Sequence, residues 1–206
     1  MPTPEPLPSA AGSGSSSPLS PQSHRQAAER LAAELSRRFA ELDRWLDAPA
    51  ANWIARAPEG GWSVGEVCEH VALANHYLLL LAQKIADRGA RRAARGLAPP
   101  AQASDLSILA ALGRREFRWS RPDHMAPSGR LERGELRTRL AEQREQCLAL
   151  ATVVGSGAGA LHRIRISVAG DHLDLHQMLG FISMHIERHL DQIKRICGRQ
   201  ATGDST

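Results

Sequence analysis

SVGEVCEHVALANHYLLLLAQKIADRG, residues 63–89, is the stretch from which the rest of the chain can be read. Ser63 stands three residues before Glu66, the capping-box spacing in which each side chain satisfies the other's backbone N–H at a helix start. Val64, Val67, Val71, Leu78 and Ile85 then recur on one helical face, and Gly89 is the expected stop. Upstream, Leu31, Leu35, Leu42 and Leu46, flanked by Phe39 and Trp45, form a second amphipathic stripe. That helix begins near residues 20–23 and ends at Asp47-Ala48-Pro49.

Downstream, residues 89–105 read as a basic, Pro-containing loop and 105–118 as a short helical piece. Arg121-Pro122 through Pro127-Ser128-Gly129 returns to loop. A third long helix spans about 131–154, with Leu136, Leu140, Cys147, Leu148, Ala151 and Val154 inward, and Gly155, Gly157 and Gly159 ending it. Ile164, Ile166 and Val168 alternate with Arg163, Arg165 and Ser167, the period of a short extended segment. The last helix covers about 174–197. It opens on the capping pair Asp174 and Gln177 and buries Met178, Ile182, Ile186, Ile193 and Ile196. The expected fold is all-α: a four-helix bundle with a long crossover between helices 2 and 3 and at most a short extended segment before the last helix. Residues 1–22, rich in Pro, Ser and Gly, read as a disordered tail, 23–198 as the bundle domain and 199–206 as a flexible C-terminus.

Composition narrows the function. The 206 residues are 42% hydrophobic and 23% charged, with a formal net charge of +4. No apolar run approaches the ~18 residues of a membrane span, and no basic segment followed by an apolar one marks a secretory signal. Cys68, Cys147 and Cys197 are too widely spaced for a CxxC site and odd in number, which fits a reducing cytoplasm. Lys84 and Lys194 are the only lysines. The arginines interleave with acids, as in Arg137-Thr138-Arg139-Leu140-Ala141-Glu142, the pattern of a solvated helix face and not of a nucleic-acid stripe.

Nine histidines are the less ordinary count. His172/His176 and His185/His189 both have the i, i+4 spacing that chelates a metal from one helical face. The Asp174 cap leaves His172 outside the helix, and His176 lies about 180° around it from His185. His185 and His189 fall beside Ile182, Ile186 and Ile193, toward the core. Two buried imidazoles a turn apart must be hydrogen-bonded or ligated; spacing alone leaves a metal and a polar helix seam equally open. His70, between Val67, Val71 and Ala74, is a third candidate, and three histidines leave positions open as in catalytic metal sites. His76 and Cys68 are about 240° and 200° around the helix from His70, off its face. His24, His124 and His162 read as surface residues. Glu66, Asn75 and Gln192 are candidates to orient the ligands, although Glu66 has a competing role in the cap. Trp62 reads either as a pocket wall or as a core plug.

Gly61-Trp62-Ser63-Val64-Gly65-Glu66-Val67-Cys68-Glu69-His70, the loop residues Arg121-Pro122 and Ala126-Pro127-Ser128-Gly129, and His185-Ile186-Glu187-Arg188-His189-Leu190-Asp191-Gln192-Ile193 resemble the DinB-like (DinB/YfiT) superfamily over about residues 25–197. The resemblance implies a bundle holding one divalent transition metal (zinc, nickel or iron) on His70, His185 and His189, and a homodimer. It also implies a metal-dependent transferase working with a low-molecular-weight thiol such as bacillithiol, mycothiol or glutathione on an electrophilic substrate. A non-catalytic metal-binding or sensing bundle and a metal-dependent hydrolase are the alternatives. No general acid or base is identified.

Overall fold

The computed structural model describes residues 23–57, 60–110, 123–167 and 170–203. Four long helices make the body: α1 (His24–Leu46), α3 (Val64–Ala94), α4 (Arg133–Gly155) and α5 (Leu175–Gly203), with a short α2 (Ala50–Ile54) after α1. Helix α1 packs along α4 and α5, while α3 packs against α4 and α5, so every long helix shares one core. Leu35, Leu42, Val64, Val67, Val71, Leu136, Ile182, Ile186 and Ile193 are fully buried in it. Truncating one such leucine to alanine costs roughly 2–5 kcal/mol.

The helix starts follow the capping chemistry. Ser63 Oγ accepts the Glu66 N–H at 3.2 Å, and Glu66 Oε2 accepts the Ser63 N–H at 2.7 Å. Ser23 and Gln26 cap α1 in the same way. Asp174, fully buried, accepts the Gln177 N–H at 3.0 Å and returns its own N–H to Gln177 Oε1.

Several expected boundaries shift. Gly89 does not stop α3, which continues to Ala94. A Cβ on Gly89 would lie 2.2 Å from the Ala158 carbonyl, so this glycine serves a close crossing with the 3-10 turn at Ala158–Leu161. The stop is Gly96, at φ 86°, whose N–H reaches the Ala93 carbonyl while Leu97 N–H reaches Arg92. In α4 the inward leucine is Leu150; Leu148 is only half-buried. Helix α5 runs past 197 and takes in residues 199–203 of the expected C-terminal tail. The extended segment is one arm of a hairpin. Strand β1 (Ile164–Ile166) pairs antiparallel with β2 (Asp171–Leu173), in register Ile164 with Leu173 and Ile166 with Asp171. A 3-10 turn at Ser107–Leu109 stands at the start of the expected helical piece; its remainder, Arg121-Pro122, Val168 and the 1–22 tail lie outside the described residues. No helix among the described residues is long and apolar enough to cross a membrane.

Candidate metal centre

Helix α3 is buried on nearly all sides over its first two turns, from Val64 to Ala72. Its start is wedged tight. Gly65 gives room to Trp53 of α2, since a Cβ there would meet the indole at 2.6 Å. The Arg133 guanidinium lies over the same indole, 4.5 Å from its centroid, and donates to the Ala48 carbonyl at 2.7 Å. Arg56 bonds the Gly61 carbonyl and pairs with Glu66 at 2.7 Å. These contacts fix the chain immediately before α3, and there Trp62 lays its ring against His70, centroids 4.7 Å apart.

His70 meets His185 and His189 of α5. One ring nitrogen from each lies within 4.8 Å of the others, and all three residues are buried. Ring centroids are 5.4 Å (His70–His185), 4.8 Å (His70–His189) and 4.5 Å (His185–His189), each pair edge-on. Among the described residues this is the one group of three or more His, Cys, Asp or Glu side chains with ligand atoms so close. Burial, then the neighbouring His189, His70 and Arg188, pushes the His185 pKa well below its ordinary value. His189 is lowered to about 3 by burial first, then by His70 and, more weakly, Arg188 and Arg195, with its Gln192 bond opposing. His185 and His189 are therefore neutral at pH 7.

Hydrogen bonds set two of the tautomers. His70 Nδ1–H donates to the Met125 carbonyl at 2.8 Å, and His189 Nδ1–H donates to Gln192 Oε1 at 2.9 Å. Both acceptors are oxygens, so each ring keeps Nε2 as its lone-pair atom. Neutral imidazoles with an oriented Nε2 are the donor set a divalent transition metal takes, and carbonyl or amide partners on the far nitrogen are the usual support for such ligands. The residues fit a metal.

The loop that supplies the Met125 carbonyl is held by Glu69, which sequence reasoning passed over. Its buried carboxylate accepts the Ser128 N–H at 2.8 Å, the Ser128 hydroxyl at 2.7 Å and the Gly129 N–H at 2.8 Å. Adjacent residues Glu69 and His70 thus grip one loop at two points. The available signal was a carboxylate in a helix segment buried all round, where an unpartnered charge is not tolerated.

The other candidates separate. Gln192 supports His189 directly. Glu66 is engaged by Ser63 and Arg56 at the helix start. Asn75 is fully buried, but neither atom of its amide has a hydrogen-bond partner among the described residues, so it bonds none of the three histidines. His76 is exposed and meets Tyr77 edge-on. Cys68 is buried, its thiol pushed up to about 12 by burial against a weaker pull from Arg133. His176, half a turn away in phase, donates to the Ser104 carbonyl at 2.9 Å, and His172 is an exposed strand residue. Two of the presumed surface histidines are built in. His24 opens α1 and donates from Nε2 to the Pro100 carbonyl at 2.8 Å. His162 is half-buried with its Nε2 covered, and burial, then Arg92, Arg88 and Lys84, lowers its pKa. The side chain of His124 lies outside the described set.

A cleft of about 160 Å³ adjoins the cluster, lined in part by Trp62, Gln192 and Arg195. Trp62 touches His70 and Gln192 holds His189 at Nδ1, so these two side chains stand between the cleft and the rings, none of which lines it.

The family model of the DinB superfamily matches residues 29–193, and the chain belongs to that superfamily. No curated protein and no solved structure matches the chain.

Proposed function

We propose that this DinB-superfamily chain holds one divalent transition metal on His70, His185 and His189 and acts as a cytoplasmic transferase working with a low-molecular-weight thiol. The observation that carries the reading is the convergence of three buried imidazoles from two helices, with ligand atoms all within 4.8 Å and no fourth side-chain ligand among the described residues. Three-ligand sites leave positions for water or substrate, as catalytic centres do and closed structural sites do not. A metal bound there would lower the pKa of a coordinated thiol, supplying a thiolate at neutral pH.

The chain's own residues divide the remaining work. His70 and His189 present Nε2 because Met125 and Gln192 hold their other nitrogens. Glu69 keeps the Met125 loop in place. Trp62 lays its ring against His70 and lines the neighbouring cleft.

The test is tag-free protein loaded with zinc, nickel or iron and incubated with monochlorobimane and, in turn, glutathione, bacillithiol and mycothiol. The expected outcome is metal-dependent acceleration of conjugation with at least one thiol, lost on chelation. Stoichiometric metal with no acceleration for any thiol overturns the transferase and leaves a metal-binding bundle.

A further inference from the structure

The C-terminal half of α3 departs from the interleaving of charges seen elsewhere. Arg139 meets Glu135 at 2.6 Å and Arg137 meets Asp47 at 2.6 Å, so those exposed arginines carry their own counter-charge. Lys84, Arg88 and Arg92 do not. They follow one another at steps of four, on one side of the helix over about 12 Å. All three are exposed, and none pairs with a carboxylate among the described residues. Asp87, the acid between them, accepts instead from Gln83 at 2.8 Å. Like charges one turn apart oppose the helix, and the helix dipole rewards cations only in its last turn. That accounts for Arg92 but leaves Lys84 and Arg88 unexplained.

The row faces a fixed wall. At Gly89 the backbone of α3 touches that of the turn Ala158–Leu161, and Arg92 Nη1 donates to the Leu161 carbonyl at 2.6 Å. The next residue, His162, is half-buried with its Nε2 covered and without a hydrogen-bond partner among the described residues. Arg92, Arg88 and Lys84 all bear on this ring, and no carboxylate does.

We propose that Lys84, Arg88 and Arg92, with His162 beside them, form a second ligand site for an anion that carries several phosphate groups in line. Arg88 lies 18 residues beyond His70, about 27 Å along α3, so the site is separate from the three histidines and independent of the metal reading. Two guanidiniums and an ammonium are the groups that hold phosphate oxygens by charge-assisted hydrogen bonds. A single phosphate spans too little of the row to meet all three cations, whereas a di- or triphosphate chain runs along it. The row is also short for a strand of nucleic acid, whose sites take about 4–16 nucleotides.

Calorimetric titration of the full chain with inorganic tripolyphosphate and with orthophosphate tests the site. Metal is first removed, so that neither probe can bind through it, and salt is held at about 0.1 M to screen distant charge. The expected result is one tripolyphosphate per chain, bound at least about tenfold more tightly than orthophosphate and weakened at least about fivefold by Lys84→Gln and by Arg88→Gln. Arg144, exposed on α4, also lacks a carboxylate partner among the described residues. Arg144→Gln removes the same net charge and should change binding less than about twofold. The His162 ring resonance, assigned by its loss in His162→Gln, should move on binding while those of His185 and His189 stay. Absence of saturable binding, equal weakening by Arg144→Gln and Arg88→Gln, or movement of the His185 and His189 rings without His162 overturns the site. A short single strand of DNA bound in preference to tripolyphosphate also overturns it and makes the row a nucleic-acid contact. None of these outcomes depends on metal content, so the three-histidine centre stands or falls separately.

Discussion

Helix α5 carries buried imidazoles at its start and at its middle, and the two regions treat them differently. Near the start, His176 donates to the Ser104 carbonyl, and His24 of α1 donates to the Pro100 carbonyl on the same connecting segment. Each of those rings is answered separately, and Asp174 nearby favours a proton on His176 even though burial lowers its pKa overall. Further along, His185 and His189 face a third ring, and their charged neighbours are arginines. The difference teaches what separates a structural histidine from a candidate ligand. Spacing of four residues occurs in both regions; convergence of rings from two helices occurs at one, and there no carboxylate among the described residues bears on His185 or His189.

Metal content breaks or upholds that contrast most sharply. Replacing His185 and His189 with alanine should take tag-free protein from about one metal per chain to near zero, because too few ligands remain for a site. Replacing His24 and His176 should leave about one per chain. Elemental analysis of both variants decides, and equal metal in the two would erase the distinction.

Acid should expose the same asymmetry in metal-free protein. His185 and His189 have folded pKa values below the ordinary 6.5, with His189 at about 3. On acidification the unfolded chain takes up these protons first. Stability is therefore full above about pH 6.5 and falls as pH drops toward 3, by up to about 1.4 kcal/mol per pH unit for each proton. Thermal melts from about pH 7.5 to 4 should show this slope, and His189→Ala should flatten it more than His176→Ala does, since His176 is shifted less. A slope unchanged by either variant would assign the acid sensitivity elsewhere.

The supports of the cluster come next in size. Glu69→Gln leaves two backbone N–H groups and a hydroxyl facing an amide, a loss of roughly 1–3 kcal/mol. It should also weaken metal binding roughly 10–100-fold by freeing the Met125 loop. Competition with a chelator, paired with melts, reads both; lost stability with full metal affinity would limit Glu69 to the loop. Gln192→Ala removes only the His189 acceptor and should cost about tenfold in affinity, with little change in melting.

The sequence carried the frame of this molecule further than its joints. Capping pairs at Ser63 and Asp174 located two helix starts because such boxes are local chemistry. The ends were harder. Gly89 and Gly96 look alike in sequence, yet one admits the Ala158 carbonyl from a distant turn and the other adopts positive φ. The second strand, His172 included, was hidden because hairpin pairing joins two short segments. In the site, the three histidines were legible from helical phase. Gln192 was too, since it sits one turn from its partner. Glu69 was not, because its partners are 59 and 60 residues away. Asn75 had suitable chemistry near His70 but the wrong phase, and its amide meets no histidine.

His70's bond to the Met125 carbonyl spans 55 residues, and the cluster is completed only by His189 of the final helix. During synthesis, which proceeds from the N-terminus, α1, α3 and α4 all emerge before the last ligand does. A nascent chain therefore offers one imidazole, and a chain truncated before α5 never offers more from this set. Any ion held by this set is therefore taken up only after α5 has been made.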